Sequence, residues 1–173
     1  AAAAPVLVFD KAWQASDSRL GGFPVPAVKV EVALPDDWVR SRPQESSPAW
    51  YQLQVSPQQQ AAWPVDVPLA LFIDRVCGKL TVQLNGAAVL AGGPQAAGAA
   101  TRCGHPVLVT LPAPLWAAAQ NNLIDIRLEG QPLARVASRE RAASLGAVSI
   151  GPAAQLQRNF ELAHSNQVVL PQF

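Results

Sequence analysis

The side chains able to do chemistry are few and scattered. Ser149 sits in Gly146-Ala147-Val148-Ser149-Ile150-Gly151, one residue too long for the G-x-S-x-G elbow that exposes a nucleophilic serine. The two histidines, His105 and His164, lie far apart in the chain. Glycoside hydrolysis needs two carboxyl groups facing one bond. Asp36 and Asp37 are adjacent, and adjacent residues of an extended segment point to opposite sides. No complete catalytic constellation is present, so no catalytic residue and no cofactor are expected. Cys77 and Cys103 do not form a C-x-x-C pair, and no His/Cys cluster accompanies them. A structural zinc site takes about four such ligands, so no metal is expected either.

Binding chemistry is better represented. Sugars are held by aromatic faces and a few planar hydrogen-bonding groups. The chain has tryptophans at positions 13, 38, 50, 63 and 116. Trp38 follows two aspartates, and Trp50 stands on the polar side of an alternating run, where exposure is expected. Asp74 and Arg75 interrupt an apolar run, and Arg127 alternates with Asp125. Trp38, Trp50, Asp74, Arg75 and Arg127 are therefore the candidate ligand contacts. Each also has an ordinary structural role open to it. Large aromatics fill sandwich cores, and buried charges need partners. Arg75 would then pair with Asp125 or brace loop carbonyls. Arg135, Arg139 and Arg141 read as a solvated loop, or as an anion or lipid-headgroup contact.

These side chains must be positioned by strands. Val28, Val30, Val32 and Leu34 alternate with Lys29, Glu31 and Ala33, and Tyr51, Leu53 and Val55 alternate with Gln52 and Gln54. Period two buries one face and wets the other. Leu69 to Val76 is apolar on both faces until Asp74, as a central covered strand would be. Leu80, Val82 and Leu84 lead into Asn85-Gly86, a strong hairpin signal because both residues tolerate positive φ. Val107 to Leu111, Ile124 to Leu128 and Ala147 to Ile150 complete about eight strands. Pro112 to Gln120 has room for one helical turn with Trp116 packed inward. After Pro152, Leu156, Phe160 and Ala163 fall at helical spacing.

Composition agrees with a single all-β domain. The chain has 173 residues, 50% hydrophobic and 14% charged, which excludes disorder and allows a sizeable core. A net charge of +1 gives no field for a polyanion, so nucleic acid is not an expected partner. Sixteen prolines and eleven glycines suit many short strands. No run of about 20 apolar residues exists to span a membrane. A start at Ala1-Ala2-Ala3-Ala4-Pro5 without Met implies a trimmed or processed chain. The two cysteines are either buried thiols or, in an oxidising compartment, a disulfide. A bridge over that separation would contribute roughly 3 kcal/mol in the chain-entropy picture.

The order of these segments is familiar. Leu34-Pro35-Asp36-Asp37-Trp38 precedes Ala49-Trp50-Tyr51, Leu71-Phe72-Ile73-Asp74-Arg75-Val76 and Val82-Gln83-Leu84-Asn85-Gly86. Pro106 to Pro112, Asn122 to Arg127 and Leu145 to Pro152 follow, then Val169-Leu170-Pro171-Gln172. The order resembles the galactose-binding-like jelly roll at the N-terminus of many glycoside hydrolases. It resembles still more the periplasmic sensor domains of bacterial receptors joined to histidine kinases or diguanylate cyclases. The resemblance covers roughly residues 27 to 173. It implies a galactose-binding-like jelly-roll β-sandwich over about 27–151 and a short C-terminal helical tail over 152–173, all in one domain.

The expected function is ligand sensing on the periplasmic side of the bacterial inner membrane, within a membrane signalling protein of the histidine kinase kind. The ligand would be a small molecule or carbohydrate. The chain would be tethered by a transmembrane segment that follows it, with a homodimer as a possible assembly. The alternatives are a carbohydrate-binding module of a secreted glycoside hydrolase and a non-catalytic dimerisation domain.

Overall fold

The structure is a computed structural model that describes residues 5–16, 23, 29–42, 48–91, 105–130 and 143–168. Two six-stranded antiparallel sheets face each other across one main apolar core, with one longer helix outside. The all-β sandwich with a C-terminal helix expected from the sequence is what forms.

The strands run β1 (Leu7–Phe9), β2 (Lys11–Ser16), β3 (Val30–Ala33), β4 (Asp36–Asp37), β5 (Ala49–Val55) and β6 (Leu69–Cys77). They continue as β7 (Lys79–Leu84), β8 (Ala87–Ala91), β9 (His105–Leu111), β10 (Asn122–Glu129), β11 (Ser144–Leu145) and β12 (Val148–Pro152). The first sheet is built around β6, which pairs with β9 on one side and with β12 and then β11 on the other; β1 and β4 flank those. The second sheet has the order β3-β2-β5-β10-β7-β8. Residues ahead of position 27 thus enter both sheets, through β1 and β2, and the sandwich begins earlier than the alternation after Ala27 indicates. The short lengths of β1 and β4 explain why periodicity did not reveal them.

The alternating residues point as period two requires. Tyr51, Leu53, Val55, Val82, Leu84, Ile124, Ile126 and Leu128 from the second sheet meet Leu71, Ile73, Val107, Val109, Val148 and Ile150 from the first. Asn85 and Gly86 carry positive φ of 51° and 88° and turn β7 into β8. The Asn85 side chain does structural work there: its Nδ2 donates to Leu115 O and to Asn122 Oδ1, and its Oδ1 accepts from Leu123 N. Asn122 is fully buried and bonds in turn to Ala117 and Gln60. A 3-10 turn at Ala113–Leu115 brings Trp116 edge-on to Trp63, with ring centroids 6.1 Å apart.

Helices α1 (Trp38–Ser41) and α2 (Pro57–Gln60) are single turns, capped by Asp37 and Ser56. Helix α3 (Ala153–Val168) starts directly after β12. Leu156 is fully buried on Ala70 and Phe72, with Phe160, Ala163 and Leu108 packed around it. The helical spacing after Pro152 therefore marks a face that covers the outside of the first sheet. No helix among the described residues is long and apolar enough to cross a membrane.

Candidate functional site

With the first sheet covered by α3, the outward face of the second sheet is where polar side chains collect. Residues directly opposite on paired strands share a face. The registers Glu31↔Trp13, Trp13↔Gln52, Gln52↔Asp125, Asp125↔Gln83 and Gln83↔Ala88 form one row across all six strands. A second row beside it runs Ala15, Trp50, Arg127 and Thr81. The polar members are the residues that alternate with the core residues of β5, β7 and β10, so the same period that builds the core builds this face.

Its chemistry changes from rim to centre. At the rim, Trp13 is 40% exposed and Lys29 Nζ lies 4.9 Å from its ring centroid. In the centre, Asp125, Arg127 and Gln83 are only 7%, 5% and 8% exposed. Gln52 Nε2 donates to Asp125 Oδ1 at 3.0 Å, and the backbone N–H of Phe23 also donates to that carboxylate. Phe23 therefore lies over the face. Burial pushes the Asp125 carboxyl above its ordinary pKa, and the two hydrogen bonds only partly oppose this. Arg127 Nη2 bonds to Glu129 Oε2 at 3.3 Å. Among the described residues, Arg127 Nε and Gln83 Oε1 are buried without a hydrogen-bond partner. Such groups each cost about 1–3 kcal/mol when left unmade.

The structure places the sequence candidates in three different settings. Trp50 and Arg127 are brought together, directly opposite each other on β5 and β10. Trp50 is wholly buried rather than exposed, because the outward face of this sheet is itself covered at its centre. Asp74 and Arg75 are exposed and sit where the β6–β9 register shifts, on the other sheet. Arg75 O accepts from Gly146 N, and Ala147 O accepts from Asp74 N. Asp125 takes its hydrogen bond from Gln52, not from Arg75.

Trp38 is wholly buried between the sheets. Its Nε1 donates to Tyr51 Oη at 2.9 Å, and Tyr51 Oη donates to Asp36 Oδ2 at 2.5 Å. Gln14 Nε2 donates to the same Asp36 oxygen at 2.9 Å, and Arg42 stacks 4.4 Å from the Trp38 ring centroid. This cluster ties β4 and α1 to β2 and β5.

Cys77 closes β6 and is disulfide-bonded; Cys103 lies outside the described residues, as do Arg135, Arg139 and Arg141. Gln52 and Gln83 were readable only as alternating positions, and Trp13 only as one of five tryptophans open to sugar binding or to packing. Register across three strand pairs was needed to align them, and no local motif carries that. Among the described residues no group of three or more His, Cys, Asp or Glu is placed to hold a metal ion.

The fold defines an all-β sandwich, and solved structures share it. No protein-family model and no curated protein matches the chain. The beta-glucuronidase of Ruminococcus gnavus in complex with uronic deoxynojirimycin is similar with a TM-score of 0.54 at 13% identity, over 85% of this chain and 29% of that one. A glycosyl hydrolase family 2 member from Bacteroides cellulosilyticus DSM 14838 gives 0.56 at 15%, over 84% and 20%. A GH2 beta-galacturonidase from Eisenbergiella tayi gives 0.53 at 10%, over 84% and 24%. At such identities the likeness is one of fold. The chain spans less than a third of the length of each of these proteins.

Proposed function

We propose that this chain is a non-catalytic recognition module of a larger protein, and that the outward face of its second sheet receives a carbohydrate. The observation that carries this is the row Trp13, Gln52, Asp125 and Gln83, with Arg127 beside it. An exposed aromatic ring beside a half-buried amide, which Asp125 holds in place, is the kind of surface that hydroxyl-rich ligands need. The fold likeness to glycoside hydrolases of family 2 supports the carbohydrate class. The small share of each such enzyme that the chain matches supports a role apart from catalysis. Affinity electrophoresis on immobilised polysaccharides tests it: retardation is expected and should be lost in Trp13→Ala. No retardation on any glycan, or retardation indifferent to Trp13→Ala, would end this proposal.

A second function, extracytoplasmic sensing in a membrane signalling protein, is favoured by α3. This helix leaves β12 without a linker and seats Leu156 on β6, the central strand of the first sheet. A change of strand packing would bias the helix and whatever follows it. The disulfide at Cys77 fits an oxidising, periplasmic compartment. Replacing Leu156 with Asp in the full-length protein should uncouple output from stimulus. Retained coupling would remove the sensory role while leaving the recognition face untouched.

A further inference from the structure

The part of the outward face that stays open is its edge at β2 and β3. Trp13 is 40% exposed there, and Lys11, Lys29, Glu31 and Ala33 are exposed around it. Glu31 lies opposite Trp13, and Ala33 lies opposite Lys11. Lys11 precedes Trp13 by two residues on β2 and so shares its side of the sheet. Lys29 precedes Glu31 by two and brings its Nζ to 4.9 Å from the Trp13 ring centroid. In an antiparallel pair these two lysine positions fall on opposite sides of Trp13 along the strand. One exposed ring is thus flanked by an ammonium at each end, over a span of about 13 Å at the rise of an extended strand.

Neither ammonium makes an ion pair among the described residues. Glu31 is the only carboxylate carried by β2 or β3. Asp10 is hydrogen-bonded through its carbonyl to Leu34, which faces the core, and so stands on the other side of the ladder from Lys11. Asp125, two strands away, is buried and turned to Gln52. A net charge of +1 gives the whole chain no long-range attraction for anions, so the preference of this edge is set locally.

We infer that this edge selects acidic polysaccharides. The polymer runs along β2, one sugar ring stacks on Trp13, and Lys11 and Lys29 take the anionic groups of the units on either side. Lys29 also sets the preference through its place over the ring. Its contact there is an exposed cation–π pair, a weak one. A neutral sugar that stacks on the ring displaces the ammonium and offers it nothing in return. An acidic sugar gives it a charge-assisted hydrogen bond. An ammonium is a compact point charge without the planar fork that reads a carboxylate, so uronate carboxylates and sulfate esters are both admitted. This inference rests on the proposed carbohydrate-recognition face and adds the class of ligand and the two residues that select it.

The experiment is isothermal titration of the protein with polygalacturonate, its methyl ester, dextran sulfate and dextran, and with poly-L-glutamate as an anion that carries no sugar. Each acidic polymer and its uncharged counterpart share a backbone, which isolates the charge, and the two pairs separate carboxylate from sulfate. Binding of at least one acidic polymer is expected at low salt, about tenfold or more tighter than its counterpart. The combined Lys11→Gln and Lys29→Gln variant should bring it down to the level of the counterpart, and Trp13→Ala should abolish it. Ionic strength of about 1 M, where the Debye length is about 3 Å, should also remove the preference. Circular dichroism confirms that each variant is folded. Equal binding of the acidic and uncharged polymers, still dependent on Trp13, overturns the acidic preference and leaves the recognition face standing. A preference for acidic polymers that survives the double lysine variant overturns the assignment to Lys11 and Lys29. Poly-L-glutamate bound as tightly as the acidic glycans, and indifferently to Trp13→Ala, shows attraction by charge alone and overturns the inference. Absence of binding by every polymer overturns it together with the carbohydrate reading.

Discussion

Replacing Tyr51 with Phe should destabilise the sandwich by about 3 kcal/mol. The hydroxyl removed is fully buried and makes two hydrogen bonds, accepting from Trp38 Nε1 and donating to Asp36 Oδ2. Hydrogen bonds to charged groups contribute about 1.5–3 kcal/mol, and an orphaned buried donor costs about 1–3 kcal/mol. Asp36 keeps its bond from Gln14, and neighbouring bonds in a network do not add fully, which holds the sum near the middle of these ranges. For a chain of this length such a loss lowers Tm by about 6–12 °C. Urea melts of Tyr51→Phe, Trp38→Phe and the double variant isolate the Tyr–Trp bond, since the packing loss at position 38 cancels around the cycle.

The same cluster has an independent optical readout. Tyr51 is the only tyrosine in the chain, and burial, followed by the Asp36 charge, pushes its pKa far above the ordinary value of about 10. The unfolded chain ionises first, so the stability held below the ordinary pKa is lost as pH rises past it. Tyrosinate absorbance should therefore appear only together with unfolding. A Tyr51→Phe variant within about 0.5 kcal/mol of the parent, or reversible tyrosinate in the folded protein near pH 10, would refute the account of this cluster.

Further predictions concern the two sheet faces. Asp125→Asn should gain stability relative to the parent as pH rises above the ordinary carboxylate pKa. The folded carboxyl titrates above the unfolded one, so the parent loses stability across that interval; a variant penalised more at pH 7 than at pH 4 contradicts this. Gly146→Ala should cost about 1–3 kcal/mol, because a Cβ there would lie 2.6 Å from Arg75 O and against the Asp74 carboxylate; an unchanged thermal midpoint would argue against the close approach. Leu156→Ala should cost about 2–5 kcal/mol. Amide exchange should then accelerate in α3 ahead of β6 and β9, and uniform acceleration would show that the helix does not detach as a unit.

Periodicity in the sequence was sufficient for the sandwich. Val82, Leu84, Ile124 and Ile126 face the core because alternate residues of a strand share a side, and Asn85-Gly86 turns because both tolerate positive φ. Leu156 and Phe160 cover a sheet because helical spacing puts them on one stripe. These are short-range consequences of backbone geometry, and they need no partner strand to be read. The strands β1 and β4 escaped because three and two residues are too few to show a period.

The site depended on long-range pairing. That Trp13, Gln52, Asp125 and Gln83 form one row follows only from the registers of β2, β5, β10 and β7, and a slip of one residue would have sent each to the other face. Asp36 and Asp37 are adjacent in the sequence, and only Asp37 caps α1. Asp36 instead joins Tyr51, Gln14 and Trp38 across the core. Sequence alone determined which residues of each strand share the face turned to the core. Tertiary structure decided which polar residues meet and which are covered, because burial of a charge depends on partners brought from strands far away in the chain.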